Sequence, residues 1–121
     1  MNYLESLEDY LERILMLQER NGTVRSIDIA TDMNFSKPSV SIAMKKLKEK
    51  NLIEIDKKGH ITLTEEGYQI ARATYEKHEL LSALLVKIGV SEKVAREDAC
   101  KIEHSLSEET VARLKELNDK L

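Results

Sequence analysis

Six side chains of the kinds that bind metal ions fall into three short groups along this chain of 121 residues. The groups are Asp9 with Glu12; His78; and Cys100 with Glu103 and His104. The last three have the i, i+3, i+4 spacing that places side chains on one face of a helix. Carboxylates, imidazoles and one thiolate together form a donor set that suits a first-row divalent ion. The sequence therefore predicts a metal site, although spacing alone does not show that the three groups meet.

Each of these groups also has an ordinary structural interpretation. Asp9 and Glu12, spaced i, i+3 on a predicted first helix, are consistent with a solvated acidic face. His78 alone is consistent with a surface or half-buried histidine, and Cys100 alone with a small core residue. Residue types therefore leave both interpretations open, and the elements that carry the groups must decide between them.

A second set of side chains, basic or short and polar, lies in the centre of the sequence. Residues 36–60 contain seven lysines and three acidic residues, a net charge of +4, whereas residues 1–35 carry −4 and residues 61–121 carry −3. A basic block between acidic flanks is the electrostatic footprint of a DNA reader, even though the whole chain has a net charge of −3. Surface helices that are simply rich in lysine remain the alternative.

Within the basic block, a predicted third helix would enter the major groove of DNA. Short polar side chains and a lysine suit base edges, and lysines at the flanks suit phosphates. The predicted base-contacting residues are Ser39, Ser41 and Lys45, and the predicted phosphate-contacting residues are Lys37, Lys46, Lys57 and Lys58. The block contains no arginine, the commonest reader of guanine, so specificity is expected to depend on serine contacts, thymine methyl groups and DNA shape.

The hydrophobic periodicity predicts the elements that position these residues. A first helix over about 4–20 is predicted from Leu4, Leu7, Leu11, Ile14 and Leu15. Ser26 and Ser36 are predicted N-caps of a second helix and of a third helix that ends near Asn51. Residues 52–56 and 60–63 alternate as in a β-hairpin, and Lys57-Lys58-Gly59 forms its turn. Thr64, Ser91 and Ser107 are predicted N-caps of three further helices, of which the first runs to Ile88 and the second to about His104.

This order of elements predicts a mainly α chain. Three helices followed by a two-stranded wing are typical of a winged helix-turn-helix unit, placed at residues 1–70, with a second helical unit at 71–121. No run of about 18 apolar residues occurs, so no membrane span is expected. A single cysteine cannot form an intrachain disulfide and fits a reducing cytoplasm. Neither a positioned nucleophile nor a glycine-rich phosphate loop is evident, so an enzyme is not expected.

The chain resembles the DtxR/MntR family, the diphtheria-toxin-repressor and manganese-transport-regulator type, over nearly all its length. The resemblance rests on five ordered segments: residues 7–12 (LEDYLE), 36–41 (SKPSVS), 59–67 (GHITLTEEG), 77–81 (KHELL) and 99–107 (ACKIEHSLS). It implies a homodimer that binds operator DNA when loaded with Fe²⁺ or Mn²⁺ and represses metal-uptake genes. It also implies that residues 71–121 bind metal and dimerise, and that the metal ligands are Asp9, Glu12, His78, Cys100, Glu103 and His104.

The candidate ligand set departs from both branches of that family. The manganese branch usually has a carboxylate where this chain has Cys100, and the iron branch usually has methionine where this chain has Asp9. The iron branch's ancillary site uses an acid and a histidine where this chain has Ser82 and Arg96. No segment corresponding to the family's SH3-like domain is expected.

The thiolate of Cys100 favours Fe²⁺ in cells, with Mn²⁺ as a substitute and Zn²⁺, Co²⁺ or Ni²⁺ binding in vitro. The alternative functions are a metal-independent winged-helix regulator and a winged-helix protein-interaction module. Binding of a small-molecule substrate is not expected.

Overall fold

The computed structural model describes residues 3–121, with side chains from residue 7 onward, so the side chain of Leu4 lies outside the described part. Its elements are α1 (Tyr3–Asn21), α2 (Ser26–Met33), α3 (Lys37–Glu49), β1 (Ile53–Ile55), β2 (Ile61–Leu63), α4 (Glu65–Lys87), α5 (Glu92–Ile102) and α6 (Glu108–Lys120). The chain divides into two compact units, one up to Arg72 and one from Ala73, so the division falls within α4. The predicted mainly α fold with a two-stranded wing is confirmed.

The first unit is built on apolar stripes of α1, α2 and α3, which contact one another. The stripes supply fully buried side chains: Leu11 and Ile14 from α1, Ile29 from α2, and Val40, Met44 and Leu47 from α3. Because the buried residues of α3 recur at helical spacing, its opposite side is left to solvent. The helix ends at Glu49, with Lys50 as its C-cap, close to the predicted end near Asn51, and Asn51 itself adopts a left-handed conformation with φ of 59°.

Helix α2 begins one residue earlier than the sequence pattern predicts. Ser26 was expected to be its N-cap, but the N-cap is Arg25, and Ser26 is the first helical residue. The physical reason is Asp28, whose carboxylate accepts a hydrogen bond of 2.8 Å from the backbone N–H of Arg25. That bond holds Arg25 at the helix entrance, and Asp28 also places a negative charge in the first turn.

The wing is an antiparallel pair in which Ile53 lies opposite Leu63 and Ile55 lies opposite Ile61. As predicted, Gly59 takes a positive φ, 82°, in the turn. The backbone N–H of Ile61 donates to the carbonyl of Val24 at 2.7 Å. This bond ties the wing to the segment that precedes α2, so the hairpin is attached to the helix-turn-helix and does not project alone.

The start of α4 is fitted closely against the end of α3 and the wing. Thr64 is confirmed as the N-cap, since its hydroxyl accepts from the N–H of Gly67 at 3.1 Å and donates to the carbonyl of Asn51 at 2.8 Å. A side chain at position 67 would overlap the carbonyl oxygen of Leu52. Glycine is therefore required at position 67 by close backbone approach.

In the second unit, the predicted N-caps Ser91 and Ser107 are confirmed, since each hydroxyl accepts a backbone hydrogen bond from the third residue of its helix. Helix α4 ends at Lys87, one residue before the expected Ile88. Helix α5 ends at Ile102, two residues before the predicted end at about His104, and Glu103 is its C-cap. Glu103 keeps α-helical dihedral angles and its N–H still donates to Ala99 at 3.0 Å. The Glu103 side chain therefore remains positioned by the helix.

Candidate metal centre and nucleic-acid interface

Helix α3 presents the predicted DNA-contacting residues on its exposed side. Lys37, Ser39, Ser41, Lys45 and Lys46 are all exposed, whereas Val40, Met44 and Leu47 of the same helix are fully buried. A helix that has one buried side and one exposed side can pack on a protein core and still enter a groove of DNA.

The entrance to α3 is fixed by the Ser36 cap. Its hydroxyl accepts from the N–H of Ser39 at 3.3 Å and lies 2.8 Å from the Ser39 hydroxyl. Pro38 occupies the first turn, as predicted, where its missing N–H removes no helical hydrogen bond. The turn before it contains Asn34, which adopts a left-handed conformation with φ of 57°. The first turn of the helix, where base contacts are expected, is thus defined locally.

The turn of the wing is organised by an aspartate. One carboxylate oxygen of Asp56 accepts from the backbone N–H groups of Lys58 at 2.8 Å and His60 at 2.9 Å. These bonds, led by that from His60, hold the pKa of the Asp56 carboxyl below its ordinary value. The backbone at Lys57 and Lys58 is therefore constrained while both side chains are exposed.

Sequence reasoning missed a polar chain that joins the wing to the start of α2. A guanidinium nitrogen of Arg25 donates to Nε2 of His60 at 3.3 Å, and Nδ1 of His60 lies 3.5 Å from the Asp56 carboxylate. The signal for part of it was present, since aspartate followed three residues later by glycine is a turn pattern. The contact of Arg25 with His60, 35 residues away, has no local sequence signal.

In the first unit, the two candidate metal-binding acids lie on α1 and are buried. Asp9 is 8% exposed and Glu12 is 5% exposed, which argues against the solvated acidic face that their spacing alone would allow. Burial, and then the negative charge of Asp9, raise the pKa of the adjacent Tyr10 hydroxyl. Carboxylates at such positions are costly unless hydrogen bonds or a cation compensate them.

In the second unit, the candidate ligands from α4 and the end of α5 come together. Nδ1 of His78 donates to Oε2 of Glu103 at 3.0 Å, and Nε2 of His104 lies 3.5 Å from Oε1 of Glu103. The Cys100 thiol and a Glu103 carboxylate oxygen lie within 4.8 Å of each other. The four residues that the sequence separates by up to 26 positions therefore form one cluster around the Glu103 carboxylate.

The Glu103 cluster fits a divalent cation. The Glu103 side chain is fully buried, and among the described residues no donor forms a hydrogen bond with its Oε1 atom. Leaving a charged oxygen buried without a hydrogen bond is costly, and a cation would remove that cost. Two imidazoles, a carboxylate and a thiol are also the donor types that first-row transition metals take.

Comparisons with known proteins match both units. Residues 2–61 match the family described as iron dependent repressor, N-terminal DNA binding domain. Residues 64–121 match the family described as iron dependent repressor, metal binding and dimerisation domain. The chain belongs to the iron dependent repressor family.

Individual relatives agree with this family. An uncharacterized HTH-type transcriptional regulator of Methanocaldococcus jannaschii is 39% identical over 113 residues, which are 92% of this chain and 90% of the relative. The transcriptional regulator MntR of Escherichia coli O6:H1 is 36% identical over 107 residues, 88% of this chain and 69% of the relative. The structure of the manganese regulator SloR superposes with a TM-score of 0.83 at 33% identity, covering 93% of this chain and 53% of SloR. The chain thus spans about half the length of that solved structure.

Membership of the iron dependent repressor family confirms several predictions at the level of the family. The resemblance to the DtxR/MntR type is confirmed. The prediction that the chain is a metal-dependent transcriptional regulator, and not an enzyme, is confirmed as well. Operator DNA and a second copy as partners, and Fe²⁺ or Mn²⁺ as the class of cofactor, agree with the two matched domains. Among residues 3–121, no helix is both long and apolar enough to cross a membrane.

The individual ligands and DNA-contacting residues remain predictions, as do the boundaries 1–70 and 71–121. The two positions at which this chain departs from the ancillary site of the iron branch, Ser82 and Arg96, lie in the second unit. Arg96 is exposed and binds the Glu92 carboxylate at 3.2 Å, and the Ser82 hydroxyl is buried with no hydrogen-bond partner among the described residues. Neither side chain is a good cation ligand, so the structure gives no support to an ancillary site there.

Proposed function

We propose that this chain is a cytoplasmic, homodimeric repressor of metal-uptake genes that binds its operator when loaded with Fe²⁺ or Mn²⁺. The observation that carries the proposal is the fully buried Glu103 carboxylate, which gathers two histidines and leaves one oxygen without a hydrogen bond among the described residues. A buried polar cluster that is only partly satisfied is costly, and a bound cation would offset that cost.

The DNA-binding half of the proposal rests on the exposed side of α3 and on the wing. Their lysines supply the positive charge that attracts phosphates, and the lysines of a fixed helix and a fixed turn can address the backbone on both sides of one groove. The flanking segments are acidic overall, so DNA is directed to this one face of the first unit.

The proposed metal ligands are Asp9 and Glu12 of the first unit and His78, Cys100, Glu103 and His104 of the second. When bound, a divalent cation would supply the positive charge that compensates these buried acids. His78 is oriented by its hydrogen bond to Glu103, which is a common way to fix the ring of a ligating histidine. The thiol of Cys100 favours Fe²⁺ among the ions of the family, and the oxygen and nitrogen ligands also accept Mn²⁺.

Both groups of ligands are expected to be required for metal-activated DNA binding. A cation shifts the population toward the operator-binding state only if it binds that state more tightly than the others. Because the DNA-contacting residues lie in the first unit and the Glu103 cluster lies in the second, the acids of α1 are the ligands best placed along the chain to make the two functions interdependent.

The test is fluorescence anisotropy of labelled DNA from the protein's own promoter region, titrated anaerobically with chelator, Mn²⁺, Fe²⁺ or Zn²⁺ at one salt concentration. We expect tight binding only with Mn²⁺ or Fe²⁺, and the loss of the metal-dependent step in Asp9→Ala. The matched control is Asp98→Ala, which removes an exposed carboxylate from α5 and should leave binding unchanged.

Three results would each contradict a part of the proposal. Tight binding of wild-type protein in the presence of chelator would favour the metal-independent regulator. An Asp9→Ala variant that is folded and dimeric and keeps the wild-type metal dependence would remove α1 from the ligand set. Activation by Mn²⁺ but not by anaerobic Fe²⁺ would reverse the proposed preference for iron.

A further inference from the structure

One large apolar side chain lies on the side of α3 that faces away from the core. Ile42 is 58% exposed, more than any other large apolar side chain described in the first unit. Single exposed apolar residues are ordinary on protein surfaces. Exposure alone therefore does not identify Ile42 as a contact residue, whereas its position on the helix does distinguish it.

The position of Ile42 is the centre of the exposed arc of α3. At about 100° per residue, it lies about 160° from Val40 and about 160° from Met44, the two buried side chains nearest to it in sequence. Ser39, three residues before it, and Lys45, three residues after it, flank it on the same arc and are exposed. If α3 enters a major groove, Ile42 points at the floor of the groove.

The chemistry around Ile42 selects its partner. The neighbouring lysines make this surface unsuitable for an apolar protein partner, because docking would desolvate their charges. In the major groove, by contrast, only thymine presents a methyl group, and apolar side chains recognise it. Residues 36–60 contain no arginine, the commonest reader of guanine, so an apolar contact with thymine is a base readout that this helix is equipped to make beside its serines and Lys45.

We infer that Ile42 is a specificity-determining residue that contacts the C5 methyl group of a thymine in each half-site of the operator. The inference rests on the proposed function, since it requires α3 to bind DNA. It assigns a base preference to the centre of the helix, whereas Lys37 and Lys46 at its flanks would bind phosphates of any sequence.

The experiment replaces each thymine of the footprinted promoter site, one at a time, with deoxyuridine, which lacks only that methyl group. We expect one thymine per half-site at which the replacement weakens wild-type binding about fourfold, and about fifteenfold when both half-sites are changed, from about 0.8 kcal/mol per buried carbon. Ile42→Ala should bind the thymine operator more weakly and should show no further loss with deoxyuridine at that position.

Ile27→Ala is the matched control, because Ile27 is a second exposed isoleucine of the helix-turn-helix, on α2. It should keep the wild-type sensitivity to deoxyuridine. Wild-type binding that is insensitive at every thymine, or an Ile42→Ala variant with the wild-type pattern of sensitivity, would overturn the inference. Either result would leave metal-dependent DNA binding intact, whereas failure of the proposed function would appear as no metal-dependent binding to any of these DNAs.

Discussion

The two candidate sites differ in their exposure to solvent. The recognition surface of the first unit consists of the predicted DNA-contacting residues of α3 and the wing, and the Glu103 cluster lies in the second unit. All seven predicted DNA-contacting residues are exposed. Of the six predicted metal ligands, Asp9, Glu12 and Glu103 are buried, and His78, Cys100 and His104 are half-buried. The two sites therefore differ in the free-energy cost that they impose on the folded chain when DNA or metal is absent.

Exposed lysines and serines remain hydrated without DNA, so they can be optimised for binding with little effect on folding. A buried carboxylate with an oxygen that lacks a hydrogen bond lowers the stability of the metal-free protein. The same group then favours any cation that it can bind. Function and stability should thus be nearly independent at the recognition surface and strongly linked at the Glu103 cluster.

The largest effect is expected from Glu103→Gln, which removes the buried charge. For wild-type protein, a cation at 100 times its Kd should add about 2.7 kcal/mol to the free energy of unfolding, which corresponds to a rise in Tm of roughly 10 °C. Glu103→Gln should lose that rise, and its metal-free form should be at least as stable as the metal-free wild type. Thermal unfolding followed by circular dichroism, with Mn²⁺ and with chelator, measures both.

Glu97→Gln provides the control for this prediction, because Glu97 is an exposed glutamate of the same helix. It should keep the metal-induced rise in Tm. If Glu103→Gln kept the rise as well, or if its metal-free form were several kcal/mol less stable than wild type, the carboxylate would be a structural group and the contrast between the two sites would fail.

The features that could be predicted from the sequence are those that depend on neighbouring residues. Periodicity and capping residues are local signals, so the order of the helices, the wing turn at Gly59 and the caps at Ser36, Thr64, Ser91 and Ser107 were predicted correctly. The predicted Ser26 cap was wrong because the Asp28 carboxylate accepts from the N–H of Arg25 and makes Arg25 the N-cap. Local propensities do not show which of these two adjacent residues becomes the N-cap.

Long-range contacts were the part that the sequence could not provide. The spacing of Cys100, Glu103 and His104 predicted a shared face, but nothing local shows that His78 donates to Glu103, 25 residues away. The burial of Asp9 and Glu12 was likewise beyond reach, since an i, i+3 acidic pair is compatible with solvent or with the interior. Family resemblance named these residues, and only three-dimensional packing gives them their environment.

A smaller effect, on DNA affinity alone, is expected from the double variant Lys57→Ala, Lys58→Ala in the wing. Each phosphate contact contributes about 0.9 to the slope of log K against log salt concentration. The double variant removes two lysines from each subunit of the homodimer, so the magnitude of the slope should fall by up to about 3.6. Affinity should fall about equally for specific and nonspecific DNA, and the free energy of unfolding should stay within about 0.5 kcal/mol of wild type.

Anisotropy titrations at four salt concentrations measure the slope. The control is Lys93→Ala, Lys101→Ala, which removes two exposed lysines from α5 and should not change it. An unchanged slope in the wing variant would mean that the wing does not contact phosphates. A marked loss of stability would show instead that function and stability are linked at the recognition surface as well.

The smallest effect is expected at Asp56, a titrating group that organises the turn of the wing. The backbone hydrogen bonds from His60 and Lys58 lower the pKa of Asp56 from its ordinary value of 3.8. A lowered folded-state pKa means that ionised Asp56 stabilises the fold. This contribution is present above pH 3.8 and is lost as the pH falls through the folded-state pKa.

Asp56→Ala should therefore lower Tm slightly near pH 7, and the difference from wild type should shrink below about pH 4. Asp56→Asn, which keeps an acceptor oxygen for both N–H groups but does not titrate, should lose less stability near pH 7 than Asp56→Ala. A difference between Asp56→Ala and wild type that stayed constant from pH 7 to pH 2.5 would show that the carboxyl acts through its shape and not through its charge.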